Sequence, residues 1–218
     1  MIAYQEILDD EAIQSKYKQV DEASKNSAAF RGWGHVLGAI EIAKKILKAI
    51  DAGKDVWNAV MIGVALHDIG KEFIDGKKNH EAHGEVGYEY AKEYLKDYDF
   101  PHKEEALDGI RFHDKDYIKD SLVAELICFS DKFDLTSRRL REHGKEMANV
   151  RQLQYLKDFD FALSEDSFKI AFLVTKDFDR VEWLKDYFTP KVFAAAVNLG
   201  CLLDKPRLEV KFKTGEFS

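Results

Sequence analysis

The chain has 218 residues, of which 45% are hydrophobic and 33% are charged, a composition typical of a folded globular protein. A net charge of −7 and a pI near 5.6 exclude proteins that coat nucleic acid through a basic surface. They leave room for a nucleotide, whose few phosphates need only a local cationic pocket. The two cysteines, Cys128 and Cys201, form no CxxC pair, which excludes a thiolate zinc site.

Nothing in the sequence predicts a membrane segment. The longest fully apolar runs have about seven residues, and roughly 20 are needed to span a bilayer. The first residues, MIAYQEILDDEAIQ, are acidic and lack the apolar core of a signal peptide. Two free thiols in apolar surroundings suit a reducing compartment. We therefore expect a cytoplasmic protein with no membrane partner.

Apolar spacing predicts a largely helical body. In the segment HVLGAIEIAKKILKAI the apolar side chains recur at helical intervals. The next segment, DVWNAVMIGVALHD, is apolar on every side in its middle, which predicts a buried helix capped by Asp55. Helices are predicted at 35–50, 55–68, 81–98, 103–113 and 120–135, with a weaker helical pattern at 137–158. In the helix predicted at 81–98, the side chains expected to face inward are those of Val86, Tyr90, Tyr94 and Leu95.

The pattern changes in the last sixty residues. Segments 167–174 and 207–213 have strand character, the second through strict alternation of apolar and charged side chains. A helix is predicted between them, starting near Pro190. The fold class expected is therefore mainly α, a helical bundle with a small β-α-β appendage. The predicted boundaries are 1–158 for the helical metal-binding domain and 159–218 for the appendage.

Side chains that can bind metal stand at the ends of predicted helices or on apolar faces. Any one of them alone is more often a core residue, and Asp131 alone could pair with an arginine. Together, imidazoles and carboxylates from several helices can converge on a divalent metal. The candidates are His35, His67, Asp68, His83, His113 and Asp131. His80, His102 and His143 lie in polar stretches and are not assigned to the site.

The order of these six residues resembles the HD superfamily of metal-dependent phosphohydrolases. The resemblance is carried by GWGHVLG, ALHDIGK, HGEVG, IRFHD and FSDKFD, and covers about residues 30–142. It implies a helical bundle around a centre of one or two divalent ions (Fe, Mn, Mg, Co or Ni). In the two-metal form, Asp68 would bridge the ions. His35, His67 and Asp131 would hold one ion, and His83 and His113 the other.

Two segments also resemble particular branches of that superfamily. LHDIGK and DKFDLTSRR look like cyclic-di-nucleotide phosphodiesterases of the HD-GYP type. His113 is followed here by DKDYIK instead of the GYP signature, so that specificity does not carry over. The spacing from His113 to Asp131 also looks like bacterial diadenosine tetraphosphate hydrolases.

Three cations near these motifs are candidates for substrate binding. Lys71 follows Asp68 by three residues and would bind a substrate phosphate and stabilise transition-state charge, or would be an ordinary surface lysine. Arg138 and Arg139 would clamp a phosphate or pair with Asp134 as a structural bridge. We expect Asp68 and Lys71 to be the catalytic residues.

The expected function is hydrolysis of a nucleotide or a related small phosphate ester by metal-activated hydroxide, as a phosphomonoesterase or phosphodiesterase. Two alternatives remain open. Some members with the same six ligands are mixed-valent di-iron oxygenases, and a non-catalytic nucleotide-sensing protein would keep the same residues. Segment 207–213 could also pair as an edge strand with a second copy, which makes a homodimer a further expectation.

Overall fold

The computed structural model describes residues 2–71, 73–74, 77–78, 83–115 and 120–215. Within them the chain forms nine α-helices: α1 (Tyr4–Asp9), α2 (Glu11–Ala23), α3 (Trp33–Ala49), α4 (Lys54–Leu66), α5 (His83–Tyr94), α6 (Lys103–Phe112), α7 (Leu122–Lys132), α8 (Arg180–Trp183) and α9 (Thr189–Leu202). The strands are β1 (Phe73–Ile74), β2 (Lys77–Lys78), β3 (Leu156–Leu163), β4 (Ser167–Val174) and β5 (Arg207–Thr214). The predicted mainly α fold class is confirmed.

Helix α4 forms the centre of the body. All its residues from Ala59 to Leu66 are buried, as their continuous apolar character predicts. The N-cap position of this helix is occupied by Gly53, which has no side chain to cap it. The prediction that Asp55 caps the helix is therefore wrong. Asp55 lies instead in the first turn, where a negative charge favours the helix dipole. None of the helices in the described ranges has the length and apolarity to cross a membrane.

Helix α5 is shorter than predicted and presents a different face to the core. Its buried residues are His83, Gly84, Gly87 and Ala91, while Val86 is 38% exposed. The prediction of an inward-facing Val86 is therefore wrong. The reason is close packing, because a Cβ added at Gly84 would collide with the carbonyl oxygen of Arg111 on α6. Small residues bring the two backbones together here, and an apolar pattern does not report them.

The weak helical pattern at 137–158 is also wrong as a helix prediction. The chain there makes three short 3₁₀ turns, Ser137–Arg139, Glu142–Glu146 and Arg151–Tyr155, and then enters β3 at Leu156. Strand β3 alternates buried and exposed side chains. Its buried Phe159 and Phe161 rings pack against Phe133, the residue that follows α7, with ring centroids 5.8 and 5.5 Å from that of Phe133.

The C-terminal sheet has the strand order β3-β4-β5. Strands β3 and β4 pair antiparallel, and β5 pairs parallel to β4 after the crossover through α9. The strands expected near 167–174 and 207–213 and the helix between them are confirmed. Burying an aromatic side chain such as Phe129 or Phe168 stabilises the fold by about 1.5–3 kcal/mol, and both belong to the hydrophobic core that continues into the helical body. The domain boundary at 158/159 stays a prediction.

Candidate metal centre

The turn that follows α4 places His67 and Asp68 in the interior of the bundle. Both side chains are fully buried. The Nδ1 atom of His67 lies 2.7 Å from the carbonyl oxygen of Val64. A carbonyl oxygen only accepts, so Nδ1 carries a proton and Nε2 faces the centre of the bundle, where a bound cation would take its lone pair.

The first turn of α3 and the last turn of α7 complete one side of the centre. The Nε2 atom of His35 lies 2.9 Å from Oδ1 of Asp131 and 3.3 Å from Nε2 of His67. On its other edge, Nδ1 of His35 lies 2.7 Å from Oδ2 of Asp134. A carboxylate in that position orients a metal-binding imidazole and increases its basicity.

His83 and His113 form the other side. His83 begins α5 and His113 follows α6, and their Nε2 atoms are 3.1 Å apart. The Nδ1 atom of His113 donates to the carbonyl oxygen of Ile110 at 2.7 Å, in the same way that His67 bonds to Val64. Both helices therefore deliver an imidazole nitrogen to the same point.

The carboxylate of Asp68 lies between the two sides. Its Oδ2 atom is 3.2 Å from Nε2 of His67 and 3.4 Å from Nε2 of His35. Its Oδ1 atom is 3.2 Å from Nε2 of His113 and 3.9 Å from Nε2 of His83. One oxygen thus faces each histidine pair.

Gly70 allows the two sides to approach. A Cβ at this position would collide with the backbone nitrogen of Gly87 and the carbonyl oxygen of His83. The turn that carries His67 and Asp68 can rest directly on the first turns of α5 only because residue 70 has no side chain.

The donor atoms fit a divalent cation. The ligand atoms in each of two groups lie within 4.8 Å of one another. Two imidazole nitrogens that both present lone pairs repel each other unless a cation or proton lies between them. Mixed imidazole and carboxylate donors suit the borderline to hard divalent metals. The first group is His35, His67, Asp68 and Asp131, and the second is Asp68, His83 and His113.

The charges of these groups are strongly coupled. Burial raises the pKa of Asp68, but the charges of His67 and Lys71 outweigh burial and hold it well below its usual range. The pKa of Asp131 is likewise held low against burial by hydrogen bonds to His35 and His67. Burial opposes charge on His67, yet the Asp68 carboxylate raises its pKa to about 9. Both carboxylates are therefore ionised at neutral pH.

A cleft of about 180 Å³ opens over the centre. Its lining includes Asp68, His83, His113 and Asp131 from the centre and three cations of the body, Lys71, Lys132 and Arg139. It also includes Arg31, Asp114, Tyr187, Phe188 and Lys191.

The three predicted substrate-binding cations lie in different surroundings. The Lys71 ammonium contacts Oδ2 of Asp68 and lines the cleft. Arg139 also lines the cleft, and it donates to the carbonyl oxygen of Asp134 at 2.8 Å. Arg138 is exposed, is absent from the lining, and lies 3.4 Å from the Thr136 hydroxyl.

Of the histidines left unassigned, His102 and His143 are exposed and belong to neither group of candidate ligands. His80 lies outside the described residues. Sequence reasoning missed Asp134 as a partner of His35. Its signal was a second carboxylate three residues after Asp131, just beyond the end of α7. It also missed Arg31, Tyr187 and Lys191, for which the local sequence offers no signal.

The fold and the site together define a helical protein with a buried His/Asp metal centre. Residues 32–136 match the HD domain family, and this range includes all six candidate ligands and Asp134. The chain belongs to the HD superfamily, whose members are of the metal-dependent hydrolase type. The search of curated proteins found no match.

Proposed function

We propose that the protein is a metal-dependent phosphohydrolase that acts on a nucleotide or a related small phosphate ester. The observation that carries this proposal is the Asp68 carboxylate. One of its oxygens faces each histidine pair, and the Lys71 ammonium lies beside it at the floor of a cleft with several cations.

His35, His67 and Asp131 would hold one divalent ion and His83 and His113 a second, with Asp68 shared between them. Bound divalent ions supply Lewis acidity and lower the pKa of water toward neutrality. Asp134 and the carbonyl oxygens of Val64 and Ile110 keep the imidazoles oriented. The chain thus prepares the ligand geometry before substrate arrives.

Lys71 is placed to contact a substrate phosphate. Its side chain is 7% exposed and lines the cleft, so it meets an incoming anion in a poorly hydrated setting. A fixed ammonium there binds a phosphate oxygen and stabilises the negative charge that grows as water adds to phosphorus and the ester oxygen leaves.

The described part of the cleft has no hydroxyl or thiol nucleophile of the serine, threonine or cysteine type. Burial raises the pKa of the Cys128 thiol to about 12, so it is not a thiolate at neutral pH. Direct attack by water is the reaction that fits these residues.

The test is phosphate release by metal-loaded protein from nucleotides, p-nitrophenyl phosphate and bis(p-nitrophenyl) phosphate. Lys71→Gln is expected to lower kcat by about 10²–10³ while metal content is kept. His102→Gln, which changes an exposed histidine outside the centre, serves as the control and is expected to match wild type. Oxygen consumption without phosphate release by the metal-loaded protein would contradict the proposal.

A further inference from the structure

Two arginines, Arg31 and Arg139, line the cleft, and Arg31 has no carboxylate partner among the described residues. The side chain of Arg31, which is half buried, makes no hydrogen bond or ion pair with any residue in the described ranges. Arg139 is 9% exposed; its Nε lies 3.8 Å from Oδ2 of Asp134 but makes no hydrogen bond to a described residue. Burial and the nearby charge of Arg139 both lower the pKa of Arg31.

Four other arginines of the protein have a carboxylate partner, as Arg139 does, and Arg31 differs from all of them. Arg111, Arg141, Arg151 and Arg207 each lie within ion-pair distance of an aspartate or glutamate. Two neighbouring guanidinium groups in a partly desolvated cleft repel each other, and an anion between them removes that cost. Planar guanidinium donors match the oxygens of a phosphate in bidentate geometry.

The C-terminal segment adds a third cation to the same part of the cleft. Lys191 donates to the Tyr187 hydroxyl at 2.9 Å, and its ammonium lies 4.4 Å from the centre of the Tyr187 ring. The Phe188 ring lies 5.0 Å from the Arg139 guanidinium and so holds it in place. Three residues of the cleft lining, Tyr187, Phe188 and Lys191, lie outside the matched range 32–136. They belong to the part of the chain that follows the HD domain.

We infer that Arg31, Arg139 and Lys191 form a second anion subsite, which binds a phosphate group other than the one at the metal centre. The substrate class is then a small molecule with two linked phosphate groups, such as a nucleoside diphosphate. The volume of about 180 Å³ exceeds by far the 10–15 Å³ that one water requires, so a ligand of several heavy atoms can enter. This inference rests on the proposed function for the reaction, but not for the binding of the anion.

The first experiment measures binding alone. Pyrophosphate and inorganic phosphate are titrated by calorimetry into metal-loaded wild type, Arg31→Gln and Lys191→Gln. Both variants are expected to weaken pyrophosphate binding about tenfold and phosphate binding less. Lys191 is exposed, so its substitution tests the subsite even if Arg31→Gln fails to fold. The control is Lys185→Gln, whose side chain is 67% exposed, pairs with Glu182 and is absent from the lining.

The second experiment compares turnover of ADP and p-nitrophenyl phosphate. In Arg31→Gln, kcat/KM for ADP is expected to fall at least tenfold more than kcat/KM for p-nitrophenyl phosphate, mainly through KM. Equal losses for both substrates, or pyrophosphate binding unchanged in both variants, would overturn the subsite and leave the proposed function standing. Weakened pyrophosphate binding with no phosphate release from any substrate would support the subsite and contradict the proposed function.

Discussion

The two sides of the Asp68 carboxylate differ in charge and in support. Among the described residues, the side of His35 and His67 has two carboxylates, Asp68 and Asp131, whereas the side of His83 and His113 has the shared Asp68 alone. The first side also has a carboxylate behind a histidine, because Asp134 lies 2.7 Å from Nδ1 of His35. On the second side, Oδ2 of Asp114 lies 4.0 Å from Nδ1 of His83.

This difference has a consequence for metal binding. A site with two negative ligands attracts a divalent ion more strongly than a site with one, and the Asp134 carboxylate increases the basicity of the His35 imidazole. We therefore expect two ions of unequal affinity, with the tighter one on the side of His35 and His67.

The largest effect is expected from removing a histidine on either side. His67→Ala is expected to abolish the tighter binding step and lower kcat/KM by at least about 10³, because several kcal/mol of charge stabilisation are lost. His83→Ala is expected to remove only the weaker step, so that one ion per chain remains. Elemental analysis and phosphate release measure both, with His102→Ala as the control. Loss of the same ion in both variants would show that the two sides are not distinct.

Gly70→Ala tests how the two sides are brought together. The new methyl group would push α5 away from the turn after α4, because it meets backbone atoms of Gly87 and His83. We expect the second metal step to weaken most, together with a loss of about 1–3 kcal/mol in the free energy of unfolding. Gly53→Ala is the matched control, since nothing lies within 4 Å of a Cβ there. Equal metal binding in the two variants would contradict this role for Gly70.

Asp134→Asn tests the support behind the first side. The affinity of the tighter step is expected to fall about 10–100-fold, with the second step little changed. Gly38→Ala should have the same effect, because its Cβ would collide with the Asp134 carboxylate. Gly34→Ala, where a Cβ would make only ordinary contact with Phe30, is the control. Metal titration by calorimetry distinguishes these outcomes, and unaltered affinity in Asp134→Asn would rule out this support.

The smallest effect concerns a buried carboxylate of α7. Glu125 on α7 is 1% exposed, and burial raises its pKa to about 7 against a lowering by Lys132. Because this folded pKa lies above the unfolded value of about 4.5, its stabilising contribution is present at low pH and is lost as pH rises through 7. Glu125→Gln should therefore stabilise the protein by about 1–2 kcal/mol more at pH 8 than at pH 5. Urea unfolding at both pH values measures this, and a difference independent of pH would contradict it.

The sequence predicts the helical body because its apolar side chains recur at helical spacing, as in α3 and α4. It also singles out six residues that the structure brings together, because they stand at helix ends or on apolar faces; their role as ligands stays a prediction. The alternation in β3 carried a strand signal that the weak helical pattern before it obscured. The inward face of α5 depends on Gly84 and Gly87, and glycines add nothing to an apolar pattern.

The outer cleft could not be predicted in the same way. Arg31 precedes α3 and Lys191 lies in α9, so they meet only through packing of the C-terminal region on the body. Neither residue stands in a motif, and no local spacing connects them. For Arg138 and Arg139 the sequence left both a phosphate role and a bridge to Asp134 open. Only the structure shows Arg139 at the cleft and against Asp134, with Arg138 exposed.

The most direct test of the account is the number of metal ions bound by wild type and by Asp68→Asn. We expect each of the two Asp68 oxygens to bind one of the two ions. Elemental analysis and calorimetric titration with Mn²⁺ should therefore find two ions per wild-type chain, bound in two unequal steps. Asp68→Asn, which keeps the shape but removes the shared charge, should lose the weaker step and much of the tighter one. A single ion in wild type, or two ions retained in Asp68→Asn, would contradict the account.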